Sequence, residues 1–167
     1  RNRLGASALA QVYNQVGGNV PEIKAREADY AVKEGAREVD MVAPIWAIKE
    51  GRFRAVAGDI AAVVRTCTQR AIVKVILETC LLTDEEKVTA CKIAVDSGAH
   101  FVKTSTGLST GGATVRDVRL LRLTAKESVG VKASGGIRTF GQACALIEAG
   151  ANRIGTSAGV ALVGGAG

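Results

Sequence analysis

The stretch "GAHFVKT" (98–104) decides the fold, because two other parts of the chain repeat its pattern. The related stretches are "GAREVDM" (35–41) and "GANRIGT" (150–156). Each begins with a glycine that follows a helix-like segment, where glycine suits the left-handed residue that ends a helix. Each continues with alanine, two variable residues and a β-branched residue typical of strands. The repeat therefore predicts a chain in which a helix is followed by a strand several times.

Short apolar segments with strand character recur along the chain, and their centres are separated by roughly 25 to 35 residues, the period of βα units in a parallel sheet. A weaker strand candidate lies near residues 9–13. Since no linker or low-complexity block divides residues 1–167, we expect one α/β domain built on a parallel sheet. The predicted strands are "REVDMV" (37–42), "IVKVILE" (72–78), "HFVKTS" (100–105), "GVKAS" (130–134) and "RIGTS" (153–157).

The segments between these strands carry signals for helices. Apolar residues recur with a period of 3.6 residues, and threonines stand where capping residues are expected. The predicted capping pairs are Thr83 with Glu86, Thr139 with Gln142 and, more weakly, Thr114 with Asp117. The positions predicted to face the sheet are Phe53, Val56, Ile60, Val63 and Val64 in one helix, Val88, Cys91 and Val95 in another, and Ala143, Leu146 and Ile147 in a third.

Charged residues occupy matching positions in the repeated units. Side chains alternate along a strand, so equal offsets from the repeated glycine place Asp40, Lys103 and Gly155 on one face. The segment "GVKAS" has the same parity and adds Lys132. In a barrel these side chains point inward and meet near the C-terminal rim, where such barrels carry their chemistry. The preceding residues Val39, Val102 and Ile154 are then expected to face the helices.

Two lysines and an aspartate suggest covalent catalysis through an amine. Attack on a carbonyl needs a neutral amine, whereas a free lysine is almost wholly protonated at pH 7. A buried site with a second ammonium nearby favours the neutral form. Lys103 and Lys132 are therefore candidates for a Schiff-base nucleophile and its electrostatic partner, and Asp40 for a proton shuttle. A purely structural Lys–Asp ion pair is the alternative that fits the same residues.

Glycine-rich segments follow the last two predicted strands. "SGGIRT" (134–139) and "GTSAG" (155–159) would place backbone amides at helix N-termini, which bind phosphate well. In TIM barrels the last two loops commonly hold a phosphate group, although a glycine pair alone often marks an ordinary turn. Arg138 could assist there. Glu78, at the end of its strand, could face the same site or make a structural hydrogen bond.

Composition and charge exclude several classes of protein. Of the 167 residues 47% are hydrophobic and 23% charged, and no apolar run approaches the ~18 residues of a membrane span. The formal charge of +6 is dispersed and accompanied by few aromatic residues, which argues against nucleic-acid binding. The four cysteines form no C-x-x-C pair and only one histidine is present, so we expect no metal site. Reduced thiols favour a cytoplasmic location.

Five long motifs resemble one known family. "EVDMV", "VKVILETCLLTDEEK", "FVKTSTGLSTGGATVRDVRL", "VKASGGIRT" and "RIGTSAGVAL" are similar to the bacterial deoxyribose-phosphate aldolases, and the resemblance runs from about Glu22 to Leu162. It implies a class I aldolase in a TIM barrel, which needs no metal or other cofactor. It further implies reversible cleavage of 2-deoxy-D-ribose 5-phosphate into D-glyceraldehyde 3-phosphate and acetaldehyde, in a homo-oligomer, either a dimer or a tetramer.

The resemblance also assigns roles to individual residues. The family's Schiff-base lysine falls on Lys103, the second lysine that disfavours its ammonium form on Lys132, and the proton-relay aspartate on Asp40. A lysine contact made in some members falls on Leu108, and a hydroxyl contact on Ala158, so this chain lacks both groups. The family's phosphate contacts fall on Gly107, Gly135, Gly136, Gly155 and Ser157.

The start of the chain departs from the family pattern. Family members carry two more strand–helix units ahead of this sequence, and a "GFPLG"-like loop where "VYNQVGG" (12–18) stands. We therefore expect a partial TIM barrel that lacks its first two strand–helix units. Two other functions remain open: a different phosphosugar enzyme such as a transaldolase-like barrel, and an inactive truncated chain or basic binding module.

Overall fold

The computed structural model describes residues 9–12, as backbone only, and residues 20–160. In these ranges six parallel strands form one sheet in sequence order, so each strand pairs with its neighbours along the chain. Most of the predicted loop difference at 12–18, and the last residue of the strand candidate at 9–13, lie outside the described residues. The strands are β1 (Leu9–Val12), β2 (Glu38–Val42), β3 (Ile72–Ile76), β4 (Phe101–Lys103), β5 (Gly130–Ser134) and β6 (Arg153–Gly155).

Helices connect successive strands, as the spacing predicted. Both predicted capping boxes are present, because Thr83 and Glu86 exchange hydrogen bonds at one helix start and Thr139 and Gln142 at another. The helices are α1 (Pro21–Lys33), α2 (Ile45–Lys49), α3 (Phe53–Cys67), α4 (Asp84–Asp96), α5 (Val115–Ala125) and α6 (Phe140–Glu148), with a short 3-10 helix at Thr79–Leu81.

The repeated Gly-Ala pair ends three helices in the same way. Gly35, Gly98 and Gly150 have φ of 102°, 85° and 109°, the left-handed conformation that glycine adopts without strain. After α1, the Gly35 amide donates to Val32 and the Ala36 amide to Ala31, which is the Schellman arrangement. The same two bonds follow α4 and α6, and the alanines are buried. The repeat therefore encodes a fixed exit from each helix into the next strand.

Contacts across the sheet show that it is strongly curved. The strands β2 and β5 are three positions apart, which would separate them by about 14 Å in a flat sheet. Even so, Lys132 Nζ on β5 lies 3.2 Å from Asp40 Oδ2 on β2. Arg153 on β6 lies 2.8 Å from Glu38, although four strand spacings intervene. These contacts need the sheet to bend into a barrel with both side chains inside.

The predicted parity of the strands is correct. Val39 and Val102 are fully buried among the helices that surround the sheet, while Asp40 and Lys103 point to the interior. Three strands end earlier than expected, and β2 begins one residue later, at Glu38. β3 ends at Ile76 because Glu78 adopts a left-handed conformation with φ 49°, and β4 and β6 each end two residues before the predicted limit.

Some predicted helix faces are wrong in detail. Ile147 in α6 and Phe53 at the start of α3 are exposed, at 55% and 44%, although the pattern placed both against the sheet. In α4 the most buried apolar positions are Ala90, Cys91 and Ala94, so small residues rather than the predicted valines Val88 and Val95 are covered most completely.

Two further predictions from the sequence concerned reduced cysteine thiols and the lack of an apolar run long enough to cross a membrane. All four cysteines are free thiols, and burial raises the pKa of the Cys91 thiol to about 12. No helix among the described residues is both long enough and apolar enough to cross a bilayer.

Candidate functional site at the C-terminal rim

One buried carboxylate joins the three predicted catalytic residues. Asp40 Oδ2 lies 2.9 Å from Lys103 Nζ and 3.2 Å from Lys132 Nζ, and the Asp40 side chain is completely buried. Lys103 and Lys132 are also paired residues of adjacent strands β4 and β5. The structure thus places all three side chains in one cluster inside the barrel. Each comes from a different strand, so the barrel and not a local motif assembles the cluster.

A third lysine contacts the same carboxylate and was missed in the sequence. Lys74 on β3 is paired with Asp40 in the ladder, is 0% exposed, and places Nζ 2.9 Å from Asp40 Oδ1. It also lies 2.5 Å from Glu38, which in turn binds Arg153 at 2.8 Å. The signal was present in "IVKVILE", where a lysine in an otherwise apolar strand follows the inward-facing parity of Asp40.

The cluster contains more positive than negative charge. Among the described residues, the buried Lys74, Lys103 and Lys132 and the partly exposed Arg153 contact two carboxylates, those of Asp40 and Glu38. A buried excess of charge is costly, and it is relieved when an amine loses its proton or an anion binds. The interior of this barrel is therefore suited to holding one neutral lysine.

Among these lysines, Lys132 has a lowered pKa. Its pKa lies below the usual value because it is buried, and the charges of Lys103 and Lys74 add to that effect while Asp40 opposes it. For Asp40, burial alone would raise the pKa, but Lys103, Lys74 and Lys132 outweigh it and the pKa lies below its usual range. At neutral pH an ionised carboxylate thus stands between two amines and can pass a proton from one to the other.

Close packing explains why Gly155 stands at the position that Asp40 and Lys103 occupy in their strands. A Cβ atom there would lie 3.1 Å from Lys132 Cε and 3.0 Å from Ser134 Cβ. Both distances are shorter than nearly all real contacts of this kind, so a larger residue would displace the lysine. The glycine therefore makes room for Lys132 inside the barrel.

A cavity of about 490 Å³ opens above the two lysines. All five residues predicted to bind phosphate line it, together with Lys103 and Lys132. The amides of Gly107, Gly135 and Gly136 donate to no acceptor in the described part of the chain, so they are free to bind an anion. The complete lining is Lys103, Thr106, Gly107, Lys132, Ser134, Gly135, Gly136, Ile137, Arg138, Gly155, Thr156 and Ser157.

Of the remaining polar candidates, Glu78 and His100 make structural contacts, whereas Arg138 lines the cavity. Glu78 is buried, and its carboxylate accepts hydrogen bonds from the amide and hydroxyl of Thr106. Arg138 lines the cavity, as expected for a residue that could assist anion binding. His100 Nδ1 accepts from the amide of Val73 at the start of β3, far from the C-terminal rim. The His100 amide also donates to the carbonyl of Val73, so His100 extends the pairing of β3 and β4 at the start of β4.

Comparison with known proteins identifies the family. The family model described as "DeoC/LacD family aldolase" matches residues 9–163. The chain belongs to the DeoC/LacD family of aldolases. The match spans every strand described above, and it includes the lysine cluster and both glycine-rich loops.

Several curated relatives carry one name. A deoxyribose-phosphate aldolase of Listeria welshimeri is 58% identical over 150 residues, which is 90% of this chain and 67% of the relative. The same-named protein of Clostridium tetani is 57% identical over 148 residues, and its match covers 89% of this chain and 68% of that protein. The matched region thus spans about two thirds of each relative. The resemblance to deoxyribose-phosphate aldolases that the motifs indicated is confirmed.

Solved structures show the same fold. The chain superposes with a TM-score of 0.88 on a protein described as "QR15, an Aldolase", at 40% identity, covering 93% of this chain and 70% of that one. A putative deoxyribose-phosphate aldolase from Coccidioides immitis gives 0.90 at 38% identity, with 93% and 62% covered. The deoxyribose phosphate aldolase of Aeropyrum pernix, described as tetrameric, gives 0.85 at 34%, with 93% and 66% covered. The α/β TIM-type barrel predicted from the sequence is therefore correct for this family.

Proposed function

We propose that the chain catalyses reversible cleavage of 2-deoxy-D-ribose 5-phosphate into D-glyceraldehyde 3-phosphate and acetaldehyde. One observation carries the proposal: a single buried carboxylate oxygen of Asp40 lies within hydrogen-bonding distance of two lysine amines beneath a cavity lined by glycine amides. Its curated relatives at 57–58% identity are named for this activity.

Lys103 is the proposed nucleophile. Its neutral amine attacks the C1 aldehyde of the open-chain sugar, and loss of water leaves a protonated Schiff base. Removal of the proton on the C3 hydroxyl then breaks the C2–C3 bond, and the bonding electrons move into an enamine. Protonation at C2 and hydrolysis release acetaldehyde and regenerate the amine. The Schiff base itself accepts the electrons, so the proposed reaction uses no metal or other cofactor.

Lys132 and Asp40 are the proposed groups for proton transfer. A lysine whose pKa is lowered is a better candidate for accepting a proton than an ordinary lysine, and burial together with the charges of Lys103 and Lys74 lowers the pKa of Lys132. Asp40 Oδ2 touches both amines, so a proton leaving Lys103 can reach Lys132 through it. This assignment gives the two lysines different tasks although they lie side by side in the sheet.

The glycine-rich loops are the proposed site for the 5-phosphate. Gly107, Gly135, Gly136, Gly155 and Ser157 line the same cavity as the reactive amine. Free backbone amides bind phosphate without side-chain charge, which suits a chain with leucine at position 108 and alanine at 158. We further propose that residues 1–167 form one partial barrel domain, and that the protein is cytoplasmic and homo-oligomeric, a dimer or tetramer, without a nucleic-acid partner.

A substrate panel tests the function. We expect the chain to cleave 2-deoxyribose 5-phosphate, and to condense acetaldehyde with glyceraldehyde 3-phosphate in reverse. The Lys103→Met variant should abolish both reactions, whereas Lys92→Met, an exposed lysine of α4, should leave them unchanged. Transfer of a three-carbon dihydroxyacetone unit without any reaction of acetaldehyde would instead identify a transaldolase-like enzyme.

A further inference from the structure

Glu78 stands in an unusual conformation at the end of β3. Its φ and ψ of 49° and 62° are left-handed, which is uncommon for a residue other than glycine and persists only where surrounding contacts hold it. Its side chain is nonetheless buried, with 4% of the residue exposed. The proposed chemistry does not use this carboxylate, so the strain has no explanation in the lysine cluster.

The carboxylate of Glu78 holds one residue of the loop between β4 and α5. The amide of Thr106 donates to both carboxylate oxygens, at 3.3 and 3.2 Å, and the Thr106 hydroxyl donates to Oε2 at 2.5 Å. That hydroxyl in turn accepts from the amide of Leu108 at 3.1 Å. Charge-assisted bonds of this kind are stronger than neutral ones, so Glu78 fixes the backbone on both sides of Gly107.

The residues after Glu78 reinforce the same attachment. The Thr79 amide donates to the carbonyl of Thr104 at 2.9 Å, and Cys80 Sγ lies 3.4 Å from Ser109 Oγ. Gly111 packs so closely that a Cβ there would lie 2.7 Å from Cys80 Cβ. The corner formed by residues 78–80 therefore contacts the loop at several points along 104–111.

This loop forms one wall of the cavity at the proposed phosphate end. Thr106 and Gly107 line the cavity, whereas Glu78 does not. Gly107 has φ 88° and lines the cavity, and its amide has no acceptor among the described residues, whereas the amides of Thr106 and Leu108 on either side are engaged by Glu78 and Thr106. Lys103 is held separately by strand pairing with Ile76 and Lys132. Glu78 can thus affect the phosphate end without moving the reactive amine.

We propose that Glu78 is a positioning residue that sets the affinity for the substrate's phosphate by holding Thr106 and orienting the Gly107 amide. The inference rests on the proposed function and adds a residue that touches neither the phosphate nor the sugar. The hydrogen bonds from the amide and hydroxyl of Thr106 to Glu78 form a clamp. The inference predicts that loss of this clamp weakens the binding of phosphate and leaves the chemistry at Lys103 intact.

The test compares phosphorylated and unphosphorylated substrates in the Glu78→Gln variant. We expect KM for 2-deoxyribose 5-phosphate to rise at least about tenfold with kcat nearly unchanged, while kcat/KM for 2-deoxyribose stays the same. Thr106→Val, which removes the hydroxyl half of the clamp, should show the same selective loss. Glu85→Gln, an exposed carboxylate in the first turn of α4, serves as the matched control. Equal losses for both substrates, or no loss for either, would overturn the proposal.

Binding of inorganic phosphate separates this inference from the proposed function. Calorimetric titration of the full chain should give a weaker Kd for Glu78→Gln than for the parent, whether or not the parent cleaves the sugar. If the parent is inactive on both substrates but the Kd shifts, the aldolase proposal fails while the role of Glu78 stands. Identical phosphate affinities in the parent, Glu78→Gln and Thr106→Val would contradict the role itself.

Discussion

At the scale of single residues, Asp40 is the group on which the site depends. Its two oxygens contact three lysines from three strands, and no part of its side chain reaches solvent. Removing the charge would leave those lysines buried and, in the part of the chain that the structure describes, with Glu38, which contacts Lys74, as their remaining carboxylate. Asp40 is therefore both the proposed proton carrier and the anion that makes this cluster of lysines tolerable.

Asp40→Asn should abolish activity and lower the free energy of unfolding by about 3 kcal/mol at pH 7, as expected when one partner of a buried ion pair is removed. The pKa of Asp40 is depressed in the folded state, so its contribution is complete above the unfolded value and is lost as the pH falls through the folded one. Denaturant unfolding between pH 2 and pH 8 should show the difference shrinking below about pH 4. A difference that stayed constant with pH would mean that charge is not the cause.

Lys74→Met should shift the acidic limb of the kcat/KM profile to higher pH. The charge of Lys74 helps to lower the pKa of Lys132, so its removal raises that pKa and protonates the proposed base at a higher pH. Lys24→Met is the matched control, because Lys24 is equally buried but pairs with Asp59 outside the lysine cluster. The same shift in both variants, or a shift in neither, would contradict the claim that the charge of Lys74 tunes the pKa of the proposed base.

The sequence alone predicted that Asp40, Lys103 and Lys132 lie together, but it did not predict that Lys74 joins them. Asp40 and Lys103 could be placed together because they stand at the same offset from a repeated glycine, and Lys132 because "GVKAS" has the same parity. Lys74 has the same parity, but it lies in the middle of an apolar strand and no glycine repeat marks its position. Only the ladder, which pairs Lys74 directly with Asp40, shows that it belongs to the cluster.

At the scale of elements, the capping boxes fix where helices begin. Thr83→Ala should lower the free energy of unfolding by about 1 kcal/mol, because the side chain of Thr83 accepts the Glu86 amide at the start of α4. Thr89→Ala in the same helix should cost much less, since the Thr89 hydroxyl donates only to a carbonyl one turn earlier. Urea unfolding of both variants measures the difference. Equal values would show that the box does not stabilise α4.

Gly155→Ala should reduce turnover at least about tenfold while changing the melting temperature little, because the new methyl group displaces Lys132. Gly141→Ala in α6 is the control, since a Cβ there meets nothing within 4 Å. This control should leave the rate unchanged and favour the helix slightly. A fully active Gly155→Ala variant would show that Lys132 has more freedom than its packing indicates.

Element boundaries were predictable where local chemistry sets them. Threonine caps and the glycines after α1, α4 and α6 act through neighbouring backbone atoms, so the sequence alone reveals them. The exposed Ile147 shows the limit of periodicity, because which face of α6 is covered depends on the neighbouring helix. The early end of β3 likewise depends on Glu78 reaching Thr106 across to another loop.

At the scale of the whole molecule, the curvature of the sheet produces the site. Asp40 and Lys132 meet only because three strand spacings are bent around a common interior. The family's long motifs predicted this arrangement through resemblance, whereas composition and periodicity alone reached only a parallel α/β sheet. The same closure brings Arg153 to Glu38, an ionic contact between β6 and β2 that strand parity did not predict.

Reductive trapping tests the central claim most directly, namely that Lys103 forms the covalent bond to the aldehyde. The chain is incubated with acetaldehyde and borohydride, digested, and the modified peptide is located by mass spectrometry. We predict a single ethylated lysine at position 103, lost in Lys103→Met and strongly reduced in Asp40→Asn. Modification at Lys132 alone, or the absence of any adduct, would contradict the account.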